Sequence, residues 1–154
     1  MPTTYPKNLY SPEVYRECLE RIEKLTPDSQ PQWGKMNVAQ MLAHCAEIIE
    51  VANGKPLTNT PWYVKFFKGA IRRMVLSDRP YPKSTKTHPQ YLQTTDHDFT
   101  TEKARLLKAL AEYVAKDRET AEQIIHPLLG KMSYEEKGWA MYKHLNHHLE
   151  QFGV

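Results

Sequence analysis

What most constrains this chain is one pattern that recurs along it: capped stretches in which apolar residues return every three or four positions, separated by proline and glycine breaks. The clearest start is Ser133, with Glu136 three residues on, a capping box in which each residue's side chain satisfies the other's backbone N–H. From there the helical pattern runs to Phe152, with Gly153 as its stop. "SPEVYRECLERIEKL" opens on Ser11 and Pro12 and lines up Val14, Tyr15, Cys18, Leu19, Ile22 and Leu25. Asn37 is placed to cap a second helix over residues 38–52, closed by Asn53 and Gly54. "TPWYVKFFKGAIRRMVL" predicts a third, shorter helix with an aromatic face and a basic face. "TTEKARLLKALAEYVAK" predicts a fourth, with Leu106, Leu107, Leu110, Tyr113 and Val114 turned inward. Residues 77–99, with Pro80, Pro82 and Pro89, read as a long loop, and a connector containing "HPLLGKM" precedes the last helix. Nothing reads as a strand.

Four main amphipathic helices and one short accessory helix predict an all-α chain folded as a four-helix bundle, one domain over residues 1–154. A composition 40% hydrophobic and 25% charged is that of a globular protein rather than a disordered one. No apolar run is long enough to span a membrane, and "MPTTYPKNLY" lacks the charged start and apolar core of a secretion signal, so the expected location is cytoplasmic. Cys18 and Cys45 then read as small core residues. A net charge of +3 without a clustered basic surface argues against a nucleic-acid partner. No nucleophile elbow, P-loop or dinucleotide fingerprint is present.

The stretch "YKHLNHHLEQFG" places three of seven histidines within five residues. At about 100° per residue, His144 and His148 share a face at the edge of the stripe formed by Met141, Tyr142, Leu145, Leu149 and Phe152. His147 turns away from it. On the second helix, His44 borders the stripe of Met41, Leu42, Cys45, Ile48 and Ile49, in the same angular position as His144. His44 lies about 10 Å from its helix start, and His148 and His144 about 6 and 12 Å from the end of theirs, so antiparallel helices would bring all three to one level. An inward i, i+4 pair plus a third imidazole is a metal-ligand set; the bland alternative is three histidines that merely hydrogen-bond their neighbours.

"GKMNVAQMLAHCAEII" and "HPLLGKMSYEEKGWAMYKHLNHHLEQFG" together resemble the DinB/YfiT-like superfamily, most closely an uncharacterised subgroup with a C-terminal HxxHHLxQFG-type signature. The resemblance covers residues 33–49 and 126–153 well and residues 60–99 poorly. It implies a four-helix bundle in which His44, His144 and His148 hold a divalent metal, zinc or nickel, and a small-molecule substrate with a low-molecular-weight thiol as partner. A thiol-dependent S-transferase or isomerase is therefore expected. The alternatives are a metal-dependent hydrolase, or a non-catalytic bundle that binds a metal or small ligand or forms a homodimer through an exposed aromatic face.

The other candidates read more plainly. His147 is expected to face solvent or support a ligand from outside, His126 to order the turn before Pro127, and His88 and His97 to lie in the long loop without identifiable partners. Glu47 reads as a solvated charge, or as a group orienting an imidazole. Cys45, about 100° round the helix from His44, is not placed to ligate. Lys65, Lys68, Arg72 and Arg73 beside Trp62, Phe66 and Phe67 suit an anionic membrane or an acidic cosubstrate, although packing over the bundle with the lysines in water is the commoner outcome. The 77–99 loop is expected to cross the mouth of the metal pocket and help select the substrate.

Overall fold

The computed structural model describes residues 4–154, and every regular element among them is helical. Residues 1–3, the first of the N-terminal stretch read above, lie outside that range. Helix α1 spans Pro12–Glu23; Ser11 stands at its N-cap, but its hydroxyl donates to Glu13 instead of capping. Helix α2, Val38–Ala52, starts at Asn37, which accepts from the Gln40 N–H while the Gln40 side chain accepts from the Asn37 N–H. Thirteen of its fifteen residues are buried, which makes it the centre of the core. Helix α6, Tyr134–Gln151, begins with the Ser133–Glu136 capping box.

Two stretches depart from the expectation. The third helix is split: Trp62–Phe66 is a 3-10 turn, Phe67 leaves helical geometry (φ −108°, ψ 0°), and α3 runs only over Lys68–Leu76. The connector after α4, Phe99–Val114, holds a further helix, α5, over Arg118–Gln123, capped by the Asp117 carboxylate on the Thr120 N–H. Six residues present too short a stripe for the apolar period to register.

The core packs α2 against α4 over most of their length and against α6, while α6 also receives α1, α3 and α5. Leu42, Ile49, Leu106, Leu110, Leu145 and Leu149 are fully enclosed at these contacts. Gly138 in α6 is where the N-terminal segment crosses closest: a Cβ there would sit 1.9 Å from the Asn8 Oδ1, and the Gly138 carbonyl takes the Leu9 N–H at 3.1 Å. Lys143 reaches from α6 to the end of α3, where its ammonium bonds the Met74 and Ser77 carbonyls at 2.7 and 2.9 Å and ties down an otherwise open helix end. Among the described residues, no helix is long and apolar enough to cross a membrane.

Candidate metal centre

The packing of α2 on α6 brings His44, His144 and His148 together. One ring nitrogen from each lies within 4.8 Å of those of the other two, and His44 Nε2 is 3.1 Å from His144 Nε2. His44 and His148 are buried and His144 is partly buried. The matched angular and axial positions read from the sequence therefore describe a real convergence across 100 residues of chain.

Hydrogen bonds fix which nitrogen of each ring faces the centre. His44 Nδ1 is 2.7 Å from the Tyr91 carbonyl, which only accepts, so Nδ1 carries the proton and Nε2 presents a lone pair. Gln151 donates its amide to the Trp33 carbonyl at 2.8 Å, which turns its Oε1 toward His148 Nδ1 at 2.7 Å and fixes the same tautomer there. His144 differs. Its Nε2 must supply the hydrogen of the contact with His44, and its buried Nδ1 has no partner among the described residues.

Burial lowers all three pKa values. Desolvation dominates at His44, outweighing the opposing pull of the Tyr91 carbonyl. It dominates again at His144, reinforced by the other histidines, and at His148, which is pushed down to about 3. At neutral pH the three rings are uncharged, the form in which imidazole binds a metal. The residues fit a divalent ion: three neutral imidazoles share one centre, two have their outer nitrogens held by acceptors as in known histidine sites, and an orphaned Nδ1 marks an arrangement incomplete as a purely hydrogen-bonded cluster.

The three rings open onto a cavity of about 670 Å³. Residues 81–82, 84–89 and 91–92 of the long loop also line it, which puts the loop at the histidine cavity. His147 also lines it and is half-buried between Trp33 and Tyr81, so the expectation of a simply solvent-facing ring is corrected; the segments before α2 and after α3 fold over it. His126 orders its turn as expected, accepting the Leu128 and Leu129 N–H groups. His88 and His97 do have partners: His88 accepts from the Gln90 N–H and meets the Thr60 hydroxyl, and His97 pairs with Glu102.

Glu47 is not a solvated charge. It is 7% exposed and held by Arg105, Lys55 and Gln90; burial opposes its ionisation, and those hydrogen bonds outweigh burial and keep its pKa below the usual range. It touches no imidazole, yet Gln90, which donates to it at 2.9 Å, sits in the 3-10 turn Pro89–Tyr91 that presents the Tyr91 carbonyl to His44. Cys45 is fully buried beside Met41, away from the centre. The basic segment meets expectation only in part. Lys65 and Lys68 are exposed, as expected, although Lys68 bonds the Pro127 carbonyl and Arg72 the Leu129 and Lys131 carbonyls, while Trp62, Phe66 and Phe67 face solvent.

The sequence reading missed Gln151 and Tyr91. Gln151 follows His148 by three residues, one turn on, a spacing that could have found it. Tyr91 acts through a backbone carbonyl, which any residue would supply.

Neither a curated protein nor a solved structure matches the chain. Residues 8–153 match the model of one family, described as "Protein of unknown function (DUF1569)", and with nearly the whole chain covered, the protein belongs to that family.

Proposed function

We propose that this protein is a divalent-metal-dependent enzyme built on a DinB/YfiT-like four-helix bundle, with α1, α2, α4 and α6 as its long members and His44, His144 and His148 as ligands of zinc or nickel. Its favoured reaction is transfer to or from a low-molecular-weight thiol, or a thiol-dependent isomerisation, as the resemblance of "NVAQMLAHCAEII" and "HLNHHLEQFG" to that superfamily implies. The observation that carries the reading is the convergence of three neutral ring nitrogens beside a cavity large enough for a small molecule. A bound divalent ion with three protein ligands would supply Lewis acidity, favouring the deprotonated form of a thiol or water brought to it.

The chain's own residues would do the rest. The Tyr91 carbonyl and Gln151 hold two of the rings in the tautomer that leaves Nε2 free. The hydrolase alternative is weaker because no aspartate or glutamate lines the cavity, so a carboxylate base for water is missing from it.

The test is metal analysis of protein purified without an affinity tag, followed by transfer assays with cysteine or another small thiol and a halogenated aromatic electrophile. We expect close to one metal per chain, activity lost on chelation, and activity restored by zinc or nickel. Metal-free protein that cannot be loaded, or thiol transfer indifferent to chelation, would overturn the proposal.

A further inference from the structure

His126 is the buried histidine that the metal centre does not use. It closes a turn in which its N–H donates to the Gly130 carbonyl at 3.1 Å and its carbonyl accepts the Gly130 N–H at 2.8 Å. Its ring folds back into that turn, where Nδ1 accepts the N–H groups of Leu128 at 3.1 Å and Leu129 at 3.2 Å. A nitrogen that accepts two hydrogens carries none of its own. The proton of the neutral ring must therefore sit on Nε2. No acceptor for that Nε2–H exists among the described residues; Nε2 itself is not enclosed, so although the residue as a whole is only 5% exposed, this nitrogen stays accessible on a ring that lines the same cavity as the three clustered histidines.

The turn is also held from outside. Arg72 bonds the Leu129 and Lys131 carbonyls at 2.6 and 2.8 Å and the Glu136 carboxylate at 2.9 Å, so the ring's setting does not depend on a ligand being present. Burial, with a smaller contribution from the nearby Lys137 ammonium, lowers the His126 pKa to about 4. The donor is thus neutral at physiological pH and keeps a single orientation.

The remaining lining indicates what such a donor meets. Met36, Val64, Ile71, Met74 and Leu128 give the cavity an apolar body, no aspartate or glutamate contributes to it, and Lys35 and Lys86 are its two ammonium groups, both at exposed positions. A cavity with two cations and no carboxylate favours an anion, and an apolar wall favours a hydrocarbon or aromatic body.

We propose that the His126 Nε2–H is a ligand-binding donor that takes an oxygen of the acidic head group of an otherwise apolar small molecule in the histidine cavity. This inference rests on the turn and the cavity, not on a metal at His44, His144 and His148.

The probes are octanoate and octylamine, which share a chain and differ in the sign of the head group, titrated calorimetrically against the full chain as purified and again in EDTA. Octanoate is expected to bind in both conditions and octylamine to bind in neither. The informative variant is His126→Asn, because the asparagine carboxamide oxygen can take over the Leu128 and Leu129 N–H groups as an Asx turn but nothing extends toward the cavity. Its octanoate affinity should fall by about tenfold or more, the effect of losing one hydrogen bond to a charged group, with its thermal midpoint little changed. Undiminished octanoate binding by this variant, or equal binding of octylamine by the native chain, would overturn the proposal.

Should His126→Asn fail to fold by circular dichroism, the native chain decides by NMR: the His126 Nε2 resonance shifts on octanoate addition if the proposal holds and stays in place if it does not. Because the titration is repeated in EDTA, failure of the metal reading leaves this result standing, and loss of octanoate binding leaves the metal stoichiometry untouched.

Discussion

On the helical wall of the cavity, His44, His144 and His148 hang from α2 and α6, and two of their outer nitrogens are tied to the Tyr91 carbonyl and to Gln151. On the loop wall, residues 82–87 and Leu92 are exposed, and in the chain's irregular third segment Trp62, Phe66 and Phe67 stand in solvent. The first wall is over-determined: each ring is placed by a buried helix, and two are placed again by a second contact. The second is placed chiefly at its ends, by Lys143 at the end of α3 and by the Glu47–Gln90 contact beside Tyr91. A site made this way can keep its ligand geometry fixed while the shape of its mouth changes, which is how rigid scaffolds with variable loops divide chemistry from selectivity.

The largest effect should follow from removing one of the three converging imidazoles on the helical wall. His148→Ala is expected to weaken zinc binding by more than about 100-fold, beyond what loss of an outer partner causes, while circular dichroism shows the helices retained, since the core does not depend on the ion. His147→Ala should change zinc affinity little, because His147 lines the cavity without joining the three converging nitrogens. Equal losses in the two variants would mean that the wall is not organised around His44, His144 and His148.

Next comes the support of that wall. Gln151→Ala should weaken zinc binding by about 10–100-fold, because His148 then loses the acceptor that holds its Nδ1 proton. Gly34 offers a second route to the same contact. It sits at φ +82°, and a Cβ there would lie 2.7 Å from the Gln151 amide nitrogen. Gly34→Ala is expected to push that amide off the Trp33 carbonyl and to add about 1–2 kcal/mol of backbone strain. Zinc affinity should fall in both variants. A fall in Gly34→Ala stability with unchanged zinc affinity would separate Gln151 from the metal.

Acid should then weaken the metal-free fold. A buried histidine whose folded pKa is depressed binds its proton more readily once unfolded, so its contribution is complete above the unfolded value near 6.5 and is lost as pH falls toward the folded one. For His126, at about 4, and His148, at about 3, that window runs from about pH 6.5 down to those values. At pH 5 each should cost about 2 kcal/mol relative to pH 7.5, read as a lower urea midpoint. His126→Asn should flatten the slope by one histidine's share. A metal-free protein with the same urea midpoint at pH 7.5 and pH 5 would show these rings to be hydrated rather than buried.

How much of this was legible in the sequence follows the same division. Caps and apolar periods are local, so residues 38–52 and the Ser133–Glu136 start were readable, and the histidines on those helices could be placed by angle and rise. Glu47 was misread because its burial depends on Arg105, 58 residues away, and no local pattern announces that contact. The break at Phe67 was hidden inside a run that has helical period on both sides. Tyr91 could not be found because its carbonyl, not its side chain, does the holding.

The smallest expected effect tests the loop wall directly. Residues 82–87 are exposed, contribute no side chain to the buried core, and, apart from Lys83, which lies over the Trp33 ring, line the cavity. Replacing them with a glycine-serine linker of equal length leaves Tyr81 in place, and with it the ring contacts to Lys143 and His147. It also leaves the Pro89–Tyr91 turn, so the His44 tautomer should be unchanged. Stability should therefore move by no more than about 0.5 kcal/mol, the usual range for surface changes away from caps and buried contacts. Zinc affinity should stay within about twofold, because no ligand and no acceptor of a ligand proton has been touched. Octanoate binding should weaken modestly, through loss of Lys86 and of the Pro82 ring from the lining. A linker variant that loses zinc as Gln151→Ala does would mean that residues 82–87, and not only the Tyr91 carbonyl, help to hold the imidazoles, and the separation of a fixed helical wall from an adjustable one would fail.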